Sequence, residues 1–230
     1  MLPVAILAGG LATRLRPITE TIPKALVEVA GEPFLAHQLR LLARAGYRKV
    51  VLCVGYRAEQ IREFAGDGAA FGVKIQYSAD GPRLLGTAGA IRRALPLLGE
   101  GFAVVYGDSY LTCDYAAAER VFLDSGKLGL MTVHRNDGRW DASNVEFTGG
   151  RIVAYDKVNR TPAMRHIDYG LGMFRSTAFD DVPGDRPSDL ATLYRELLRR
   201  DQLAAWESPH RFYEIGSAEG IRDLSEFLSR

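Results

Sequence analysis

The sequence has few of the features that disulfide-stapled or membrane-spanning proteins require. Among its 230 residues there are two cysteines, Cys53 and Cys113, each in or beside an apolar run, as is usual for small buried thiols. Two such residues provide neither a disulfide framework nor a zinc-ligand spacing. No stretch approaches the roughly 18–20 apolar residues of a membrane span. The short apolar segment at 2–8 predicts a buried strand rather than a signal peptide. A reduced, cytoplasmic setting is therefore expected.

Neither sign of charge is in excess. Lys plus Arg number 29 and Asp plus Glu number 28, which gives a formal net charge of +1. A nucleic-acid-binding domain usually carries a clear basic excess, so this class of protein is disfavoured. The balance still allows a local cationic pocket for a phosphate. Hydrophobic residues make up 47% of the chain, which is ordinary for a globular protein with one sizeable core.

Short apolar runs alternate with helix-like segments through the first half of the chain. The patterns predict strands over 2–7, 49–54, 73–77 and 102–106, and helices over 33–45, 58–65 and 87–95. This alternation is typical of an α/β fold with a mixed, mostly parallel sheet and helices on both faces. In such sheets ligands bind beyond the carboxyl ends of the strands.

The second half of the chain is richer in strands. The patterns predict strands over 128–133, 142–147, 151–155 and 167–174, and amphipathic helices over 187–200 and 217–228. No Pro- or Ser-rich linker separates the halves. We therefore expect a single domain over 1–230 with two lobes, 1–112 and 113–230.

A glycine-rich loop follows the first predicted strand, in the segment LAGGLATRLRPITETIPKAL. Gly9 and Gly10 permit a tight turn and a close approach of the backbone to a ligand, because they lack a Cβ atom. Their amide groups can point at phosphate oxygens, while Arg14, Arg16 and Lys24 add positive charge. The spacing is neither the GxxxxGK[ST] phosphate loop nor the GxGxxG dinucleotide fingerprint.

This segment resembles the signature of the sugar-phosphate nucleotidylyltransferases, approximately LAGGxGTRLxPxTxxxPKxL, with Ala12 in place of the third glycine. The resemblance implies a Rossmann-like fold in which 1–112 binds the nucleotide and 113–230 forms a small β-rich sugar-binding lobe and the C-terminal helices. It also implies that Arg14 contacts the leaving phosphates and Lys24 the α-phosphate. The residues implied to wrap the nucleoside triphosphate are Leu7, Ala8, Gly9, Gly10 and Thr13.

The segment LGTAGAIRRAL predicts the start of a helix, with Thr87 as its N-cap. It is similar to the family's LGT(G/A)GA element, which packs on the nucleobase and ribose. The resemblance therefore implies nucleotide contacts from Gly86, Thr87 and Ala88.

Two carboxylates are candidates for a magnesium site. Asp108 follows the apolar strand predicted at 102–106, and a carboxylate at the carboxyl end of a parallel strand is well placed to hold a hard cation. By resemblance it is the metal-binding aspartate of the family's Gly-Asp element. The ending YEIGSAEG is similar to the family's YxDIGTxE, which implies that Glu214 completes the Mg²⁺ site with a side chain one methylene longer.

Two further segments are candidates for binding the sugar 1-phosphate. In VAYDKVNRTP, the pair Asp156-Lys157 stands where the family usually has Glu-Lys-Pro, which implies that Lys157 meets the sugar phosphate and Asp156 the sugar. In HIDYGLGMF, Gly170 permits close backbone approach, and Asp168 and Tyr169 can hydrogen-bond hydroxyl groups. The implied catalytic residues are Arg14, Lys24, Asp108 and Lys157.

The function expected from this resemblance is the condensation of a nucleoside triphosphate with a sugar 1-phosphate, which yields a nucleotide sugar for cell-surface polysaccharide. The heptose 1-phosphate guanylyltransferases and muramate 1-phosphate uridylyltransferases form the most similar branch, and GTP with a heptose-type sugar is the leading expectation. Uridylyl or thymidylyl transfer to a hexose or amino sugar stays open, as do cytidylyl transfer to a phospho-alcohol and a non-catalytic regulatory paralogue. No nucleic-acid or membrane partner is expected, and a homo-oligomer stays open.

Overall fold

The computed structural model of the chain describes residues 1–184 and 186–230. Its strands, in chain order, are β1 (Val4–Leu7), β2 (Glu28–Val29), β3 (Glu32–Pro33), β4 (Lys49–Val54), β5 (Lys74–Ala79), β6 (Gly101–Tyr106), β7 (Ser109–Leu111), β8 (Gly129–Arg135), β9 (Val145–Thr148), β10 (Arg151–Tyr155), β11 (His166–Arg175), β12 (Leu203–Glu207) and β13 (Phe212–Glu214). The α-helices are α1 (Phe34–Arg44), α2 (Ala58–Ala65), α3 (Gly86–Leu98), α4 (Tyr115–Ser125), α5 (Leu190–Arg199) and α6 (Ala218–Leu228).

A nine-stranded mixed sheet runs through both halves of the chain in the order β10-β9-β11-β6-β1-β4-β5, with β8 and β12 joined beyond β11. The first-half strands β5, β4, β1 and β6 are all parallel, as βα alternation requires. Strand β11, from the second half of the chain, pairs antiparallel with β6 and joins the strands of the second half to the sheet. Because β6 lies between β1 and β11, the two halves share one sheet.

Helices cover both faces of this sheet. On one face, α1, α2 and α4 bury residues such as Leu39, Ile61 and Phe122 against the even-numbered side chains of β1. On the other face, α3 and α5 bury residues such as Ile91 and Leu197. The alternation of β1 explains the division, because Val4 and Ile6 point to one core and Ala5 to the other. The predicted α/β fold with a mixed, mostly parallel sheet is thereby confirmed.

Several predicted bounds are corrected by the structure. Strand β1 begins at Val4 and β9 at Val145, so 2–3 and 142–144 lie outside them. Helix α5 begins at Leu190 rather than at 187. The Asp189 side chain accepts a hydrogen bond from the amide of Ala191 and so caps the helix. Helix α4 and strands β7, β12 and β13 were not predicted.

Thr87 is not the N-cap of α3. The helix begins at Gly86 and the cap position is Leu85. The Thr87 hydroxyl accepts a hydrogen bond from the amide of Leu190 at 2.8 Å, which ties the start of α3 to the start of α5. In the described ranges, no helix is long and apolar enough to cross a membrane. The division into lobes at residue 112 stays a prediction.

Candidate active site

A cavity of about 410 Å³ lies at the edge of the sheet where β1, β4, β5 and β6 end. It is located there because parallel strands present their carboxyl ends at one edge. The predicted site residues that line it are Leu7, Ala8, Gly9, Gly10, Thr13, Arg14, Lys24, Gly86, Thr87 and Asp108. Ala88 does not line it: its side chain packs in the core beneath, and its amide donates to the carbonyl of Ser188 at 2.9 Å.

The glycine-rich loop packs closely against the turn after β4. A Cβ atom added at Gly9 would lie 3.1 Å from the backbone nitrogen of Gly55, so a larger residue would push the two turns apart. Ala12 has a φ of 48°, in the left-handed region that glycine adopts without strain. The missing third glycine therefore leaves the backbone conformation in place, at a cost of about 1 kcal/mol. The Ala12 carbonyl is held by the hydroxyl of Thr19 at 2.8 Å.

A lysine and a carboxylate, Lys24 and Asp108, line the cavity, and a second carboxylate lies beside them. Lys24 Nζ lies 2.6 Å from Asp108 Oδ2, so these residues form a charge-assisted hydrogen bond. The Ser109 hydroxyl lies 3.3 Å from Asp108 Oδ1 and 3.5 Å from Glu214 Oε1, and so stands between the two carboxylates. Residues from distant parts of the chain thus form one cluster of Lys24, Asp108, Ser109 and Glu214.

Strand pairing explains how Glu214 reaches this cluster. Strand β13 pairs antiparallel with β7, and the register sets Glu214 opposite Ser109. The amide of Ile215 then donates to the carbonyl of Asp108 at 3.0 Å. Gly107, which precedes Asp108, donates to the carbonyl of Leu7 at 3.0 Å and passes too close to β1 for any side chain.

The pKa of Glu214 is raised to about 7, first because surrounding protein displaces its hydration and second because the Asp108 charge is near. Lys24 acts in the opposite direction. The residue nevertheless keeps solvent-accessible surface. Glu214 therefore lies in a crowded but open cleft, and the carboxylate pair has more negative charge than Lys24 alone balances.

This donor set suits a hard cation that keeps other ligands. Carboxylate oxygens are the protein ligands that Mg²⁺ prefers, and one or two of them suffice when phosphate oxygens and waters complete the octahedron. Within the described ranges, no group of three or more His, Cys, Asp or Glu side chains could enclose a metal by itself. The residues present therefore fit Mg²⁺ bound together with a phosphate ligand.

A second charged cluster adjoins the cavity through Tyr106. Lys157 Nζ lies 3.6 Å from Asp168 Oδ2 and 5.6 Å from the centroid of the Tyr106 ring, and Tyr106 lines the cavity. The Asp168 side chain is only 4% exposed, and Tyr155 donates to it at 3.3 Å. Burial, followed by the Asp168 charge, raises the pKa of both tyrosines. Both hydroxyls therefore stay protonated.

The remaining predicted sugar contacts have local partners. Asp156 Oδ1 accepts hydrogen bonds from the amides of Val158 and Asn159 at 2.8 and 2.9 Å, which makes it the first residue of a tight turn. The Tyr169 side chain is buried, and its ring packs edge-on against Phe212. Neither side chain lines the cavity, and both assignments stay predictions. Gly170, with a φ of 95°, lies in the irregular part of β11 and donates its amide to Asp168 at 3.1 Å.

Sequence reasoning missed Asp80, which also lines the cavity. It follows the last residue of β5, just as Asp108 follows β6 after one glycine. The signal was therefore available, because an acid at the carboxyl end of a parallel strand had been recognised at Asp108. The other lining residues that were missed are Ala12, Leu15, Ala25, Cys53, Leu84, Ala90, Tyr106, Gly107 and Gly216.

Comparison with known proteins identifies the class to which this site belongs. A sequence profile of the nucleotidyl transferases matches residues 4–140. The N-acetylmuramate alpha-1-phosphate uridylyltransferase of Neisseria meningitidis is 32% identical, over 95% of this chain and 94% of its own length. The chain therefore belongs to the nucleotidyl transferase family.

Two further comparisons agree. The D-glycero-alpha-D-manno-heptose 1-phosphate guanylyltransferase of Campylobacter jejuni is 29% identical, over 97% of each chain. The fold matches HddC of Yersinia pseudotuberculosis with a TM-score of 0.82 at 24% identity, over 99% of this chain and all of that one. The chain spans 52–58% of several longer relatives. The relatives are named as transferases of sugar 1-phosphates, so the predicted enzyme class is confirmed.

Proposed function

We propose that the protein transfers a nucleotidyl group from a nucleoside triphosphate to a sugar 1-phosphate and releases pyrophosphate. An oxygen of the sugar phosphate attacks the α-phosphorus, and the bond from that phosphorus to the oxygen bridging the α- and β-phosphates breaks. No general base is needed, because the attacking oxygen is already ionised. The observation that carries the proposal is the contact between Lys24 and Asp108, which both line the glycine-containing cavity, with Glu214 joined through Ser109.

The chemical problem is to bring two anions together, which costs Coulomb energy unless cations intervene. Lys24 is suited to the α-phosphate, because it lines the cavity as a cation. Arg14 lines the same cavity and is suited to the departing pyrophosphate. Positioning and charge neutralisation then supply most of the catalysis, as in phosphoryl transfer generally.

Asp108 and Glu214 are the residues that would hold Mg²⁺. When bound, the ion would neutralise charge on the phosphates that share its coordination sphere. Deprotonated Glu214 is required for this role, and its raised pKa, about 7, makes binding of a cation in this cleft sensitive to pH near neutrality.

Lys157 is suited to the phosphate of the sugar 1-phosphate. Its ammonium is paired with the buried Asp168 carboxylate beside Tyr106, at the side of the cavity away from β5. Asp168 orients the lysine, and the Gly170 amide donates to the same carboxylate. The proposed acceptor side therefore rests on Lys157, Asp168 and Gly170 rather than on Asp156 or Tyr169.

Asp80 supports GTP as the nucleotide. One of its carboxylate oxygens accepts from the amide of Leu85 at 3.1 Å, and its other oxygen makes no hydrogen bond to any residue in 1–184 or 186–230. Asp80 follows β5 and Asp108 follows β6, and these strands are three strand spacings apart in the sheet, a span of roughly 14 Å at about 4.8 Å per strand. That span accommodates a base, a ribose and an α-phosphate in a row.

The Asp80 carboxylate is a hydrogen-bond acceptor at the β5 end of the cavity, and its chemistry favours guanine over uracil. Guanine presents two adjacent donors, the N1–H and the 2-amino group, whereas uracil presents one N–H between two carbonyl oxygens. A carboxylate would therefore pair with the first and repel the oxygens of the second, and an unmatched buried polar group is costly. We accordingly propose GTP and a heptose-type 1-phosphate. Uridylyl transfer is the second candidate, because the Neisseria relative is a uridylyltransferase.

A panel of nucleoside triphosphates against sugar 1-phosphates tests the proposal, with Mg²⁺ present and pyrophosphate release as the signal. We expect the highest rate with GTP and a heptose 1-phosphate. A higher rate with UTP and an N-acetylmuramate-type substrate would support the second candidate instead. Tight nucleotide binding without pyrophosphate release from any pair would indicate a regulatory paralogue and contradict the proposal.

The variant Asp108→Asn tests the central residue. We expect turnover to fall by at least about 10²-fold, the scale of losing one electrostatic stabiliser of the transition state. Asp124→Asn is the matched control, because Asp124 is exposed on α4 and does not line the cavity. Near-normal turnover in Asp108→Asn would remove Asp108 from the proposed metal site.

A further inference from the structure

A buried glutamine lies behind the carboxylate cluster. Gln38, on α1, is 2% exposed and reaches the turn between β6 and β7. Its side-chain nitrogen Nε2 donates to the carbonyl of Tyr106 at 2.8 Å and to the carbonyl of Ser109 at 2.9 Å. Because both partners are carbonyl oxygens, the atom that faces them must be the amide nitrogen.

These two carbonyls are at the two ends of the turn that carries Asp108. One buried side chain therefore holds the backbone immediately before Gly107 and immediately after Asp108. A third contact comes from Ile215, the residue after Glu214, whose amide donates to the Asp108 carbonyl. Gln38 thus fixes the same short segment that positions the Asp108 carboxylate and the Ser109 hydroxyl.

The side-chain oxygen of Gln38 argues that the residue does more than pack in the core. In the described residues, its buried Oε1 atom has no hydrogen-bond partner. Burying a polar oxygen without a partner is unfavourable. An apolar side chain would avoid that cost but could not donate to the two carbonyls, which would then be left unpaired themselves.

We propose that Gln38 is a positioning residue for the cation site, and that its two hydrogen bonds set the Asp108 carboxylate in the geometry that binds a divalent cation with Glu214. The inference rests on the proposed function, because it takes Asp108 and Glu214 as the cation ligands. Gln38 touches neither substrate nor cation, and acts through the turn between Tyr106 and Ser109.

The test uses the full-length protein with Mn²⁺ as a spectroscopic probe for Mg²⁺. Gln38→Met keeps the length of the side chain and removes both donors, and Gln38→Glu keeps the shape but turns a carboxylate oxygen toward the carbonyls. The matched control is Gln60→Met. Gln60 also donates to a backbone carbonyl, that of Thr21 at 3.1 Å, and its buried oxygen Oε1 also has no partner in the described residues.

Three quantities are measured for each variant: the Kd for Mn²⁺, the Mg²⁺ concentration that gives half-maximal turnover, and the midpoint of thermal unfolding. We expect both Gln38 variants to raise the first two by about 10-fold, the lower end of what loss of a partner behind a metal ligand causes. High Mg²⁺ should restore part of the lost turnover. The midpoint should fall further in the Gln38 variants than in Gln60→Met, because two carbonyls lose their donor instead of one, and cation binding in Gln60→Met should be unchanged.

A folded Gln38→Met or Gln38→Glu protein with the wild-type Kd for Mn²⁺ would overturn the positioning role. A fall in the thermal midpoint with no change in the Mg²⁺ requirement would do the same, because a purely structural residue would give that result. Asp108→Asn separates this failure from failure of the proposed function. If Asp108→Asn binds Mn²⁺ as the wild type does, the cation site itself is wrong, and the role of Gln38 with it.

Discussion

At the residue scale, Glu214 makes the strongest connection between geometry and solution behaviour. Crowding by the protein, and then the Asp108 charge, raise the pKa of Glu214 from 4.5 to about 7. Since a cation binds the ionised form, protonation competes with binding as the pH falls through 7. We predict that the Kd for Mn²⁺ rises as the pH is lowered from 8 to 6. In Glu214→Gln we predict weaker binding that no longer changes between pH 6 and 8.

Isothermal titration with Mn²⁺ at several pH values measures this dependence. The matched control is Glu226→Gln on α6, which changes a carboxylate outside the cluster and should keep the wild-type pH profile. A flat profile in the wild-type protein would show that Glu214 is ionised throughout the range, or that it is not a ligand.

Asp80 is the residue on which the choice of nucleobase depends. Burial raises its pKa, and the amide of Leu85 and the charge of Arg93 act against that rise. The variant Asp80→Asn keeps the shape of the side chain but loses the charge that favours two adjacent donors. We predict that kcat/KM for GTP falls about tenfold or more, a loss of at least one charge-assisted hydrogen bond. The value for UTP should change much less.

Steady-state kinetics with both nucleotides measure the ratio of kcat/KM for GTP to kcat/KM for UTP. Asp67→Asn is a suitable control, because Asp67 caps the amide of Ala69 and does not line the cavity. An equal loss for GTP and UTP in Asp80→Asn would mean that the residue supports the pocket without reading the base.

At the element scale, helix α6 fixes the segment that carries Glu214. Ser217 is its N-cap, and the Ser217 hydroxyl accepts a hydrogen bond from the amide of Gly220 at 3.1 Å. We predict that Ser217→Ala lowers the free energy of unfolding by about 1 kcal/mol, the usual value of such a cap. It should also raise the Mg²⁺ concentration needed for half-maximal turnover, because the segment from β13 to α6 becomes looser.

Asp114→Ala separates these two effects. Asp114 caps α4 through the amide of Ala117 at 2.9 Å, at a helix that carries no candidate site residue. Urea unfolding should show a similar loss of stability in both variants, while the Mg²⁺ requirement changes only in Ser217→Ala. The same shift in Asp114→Ala would mean that general destabilisation, and not the position of Glu214, sets the Mg²⁺ requirement.

The elements also show why part of the site could be predicted from sequence and part could not. The glycine-rich loop and Lys24 could be predicted because they lie in one short segment after β1. Asp108 could be predicted because it follows β6, which pairs in parallel with β1, so that both strands end at the same edge. The position of Glu214 beside Ser109 depends on the pairing of β13 with β7, which are about a hundred residues apart in sequence. Periodicity within one segment carries no information about such a pairing.

Local competition between hydrogen bonds explains why two residues have partners that the sequence did not predict. Asp156 was predicted to contact sugar, but an aspartate two residues before an amide readily closes a turn on itself. Thr87 was predicted as a cap, but its hydroxyl bonds instead to α5, a helix that begins about a hundred residues later. In both cases the sequence predicts that the side chain forms a hydrogen bond, but it does not identify the partner.

At the scale of the whole molecule, the shared sheet determines how the protein should unfold. Strand β6 of the first half lies between β1 and β11, and one core cluster contains residues from Val4 to Phe212. Separating the halves would break the pairing of β6 with β11 and expose both cores. We therefore predict one cooperative transition rather than two independent ones, because both cores pack against the sheet that the halves share.

The chain offers a separate probe for each half. Trp140 and Trp206 both lie in the second half, so their fluorescence reports on that half alone. Cys53 lies on β4 in the first half, and burial raises the pKa of its thiol to about 12, so a thiol reagent should label it only when that half opens. In a Cys113→Ala background, which removes the other thiol, labelling and fluorescence should give the same urea midpoint. Two separated midpoints would show that the predicted lobes 1–112 and 113–230 unfold independently in spite of the sheet that joins them.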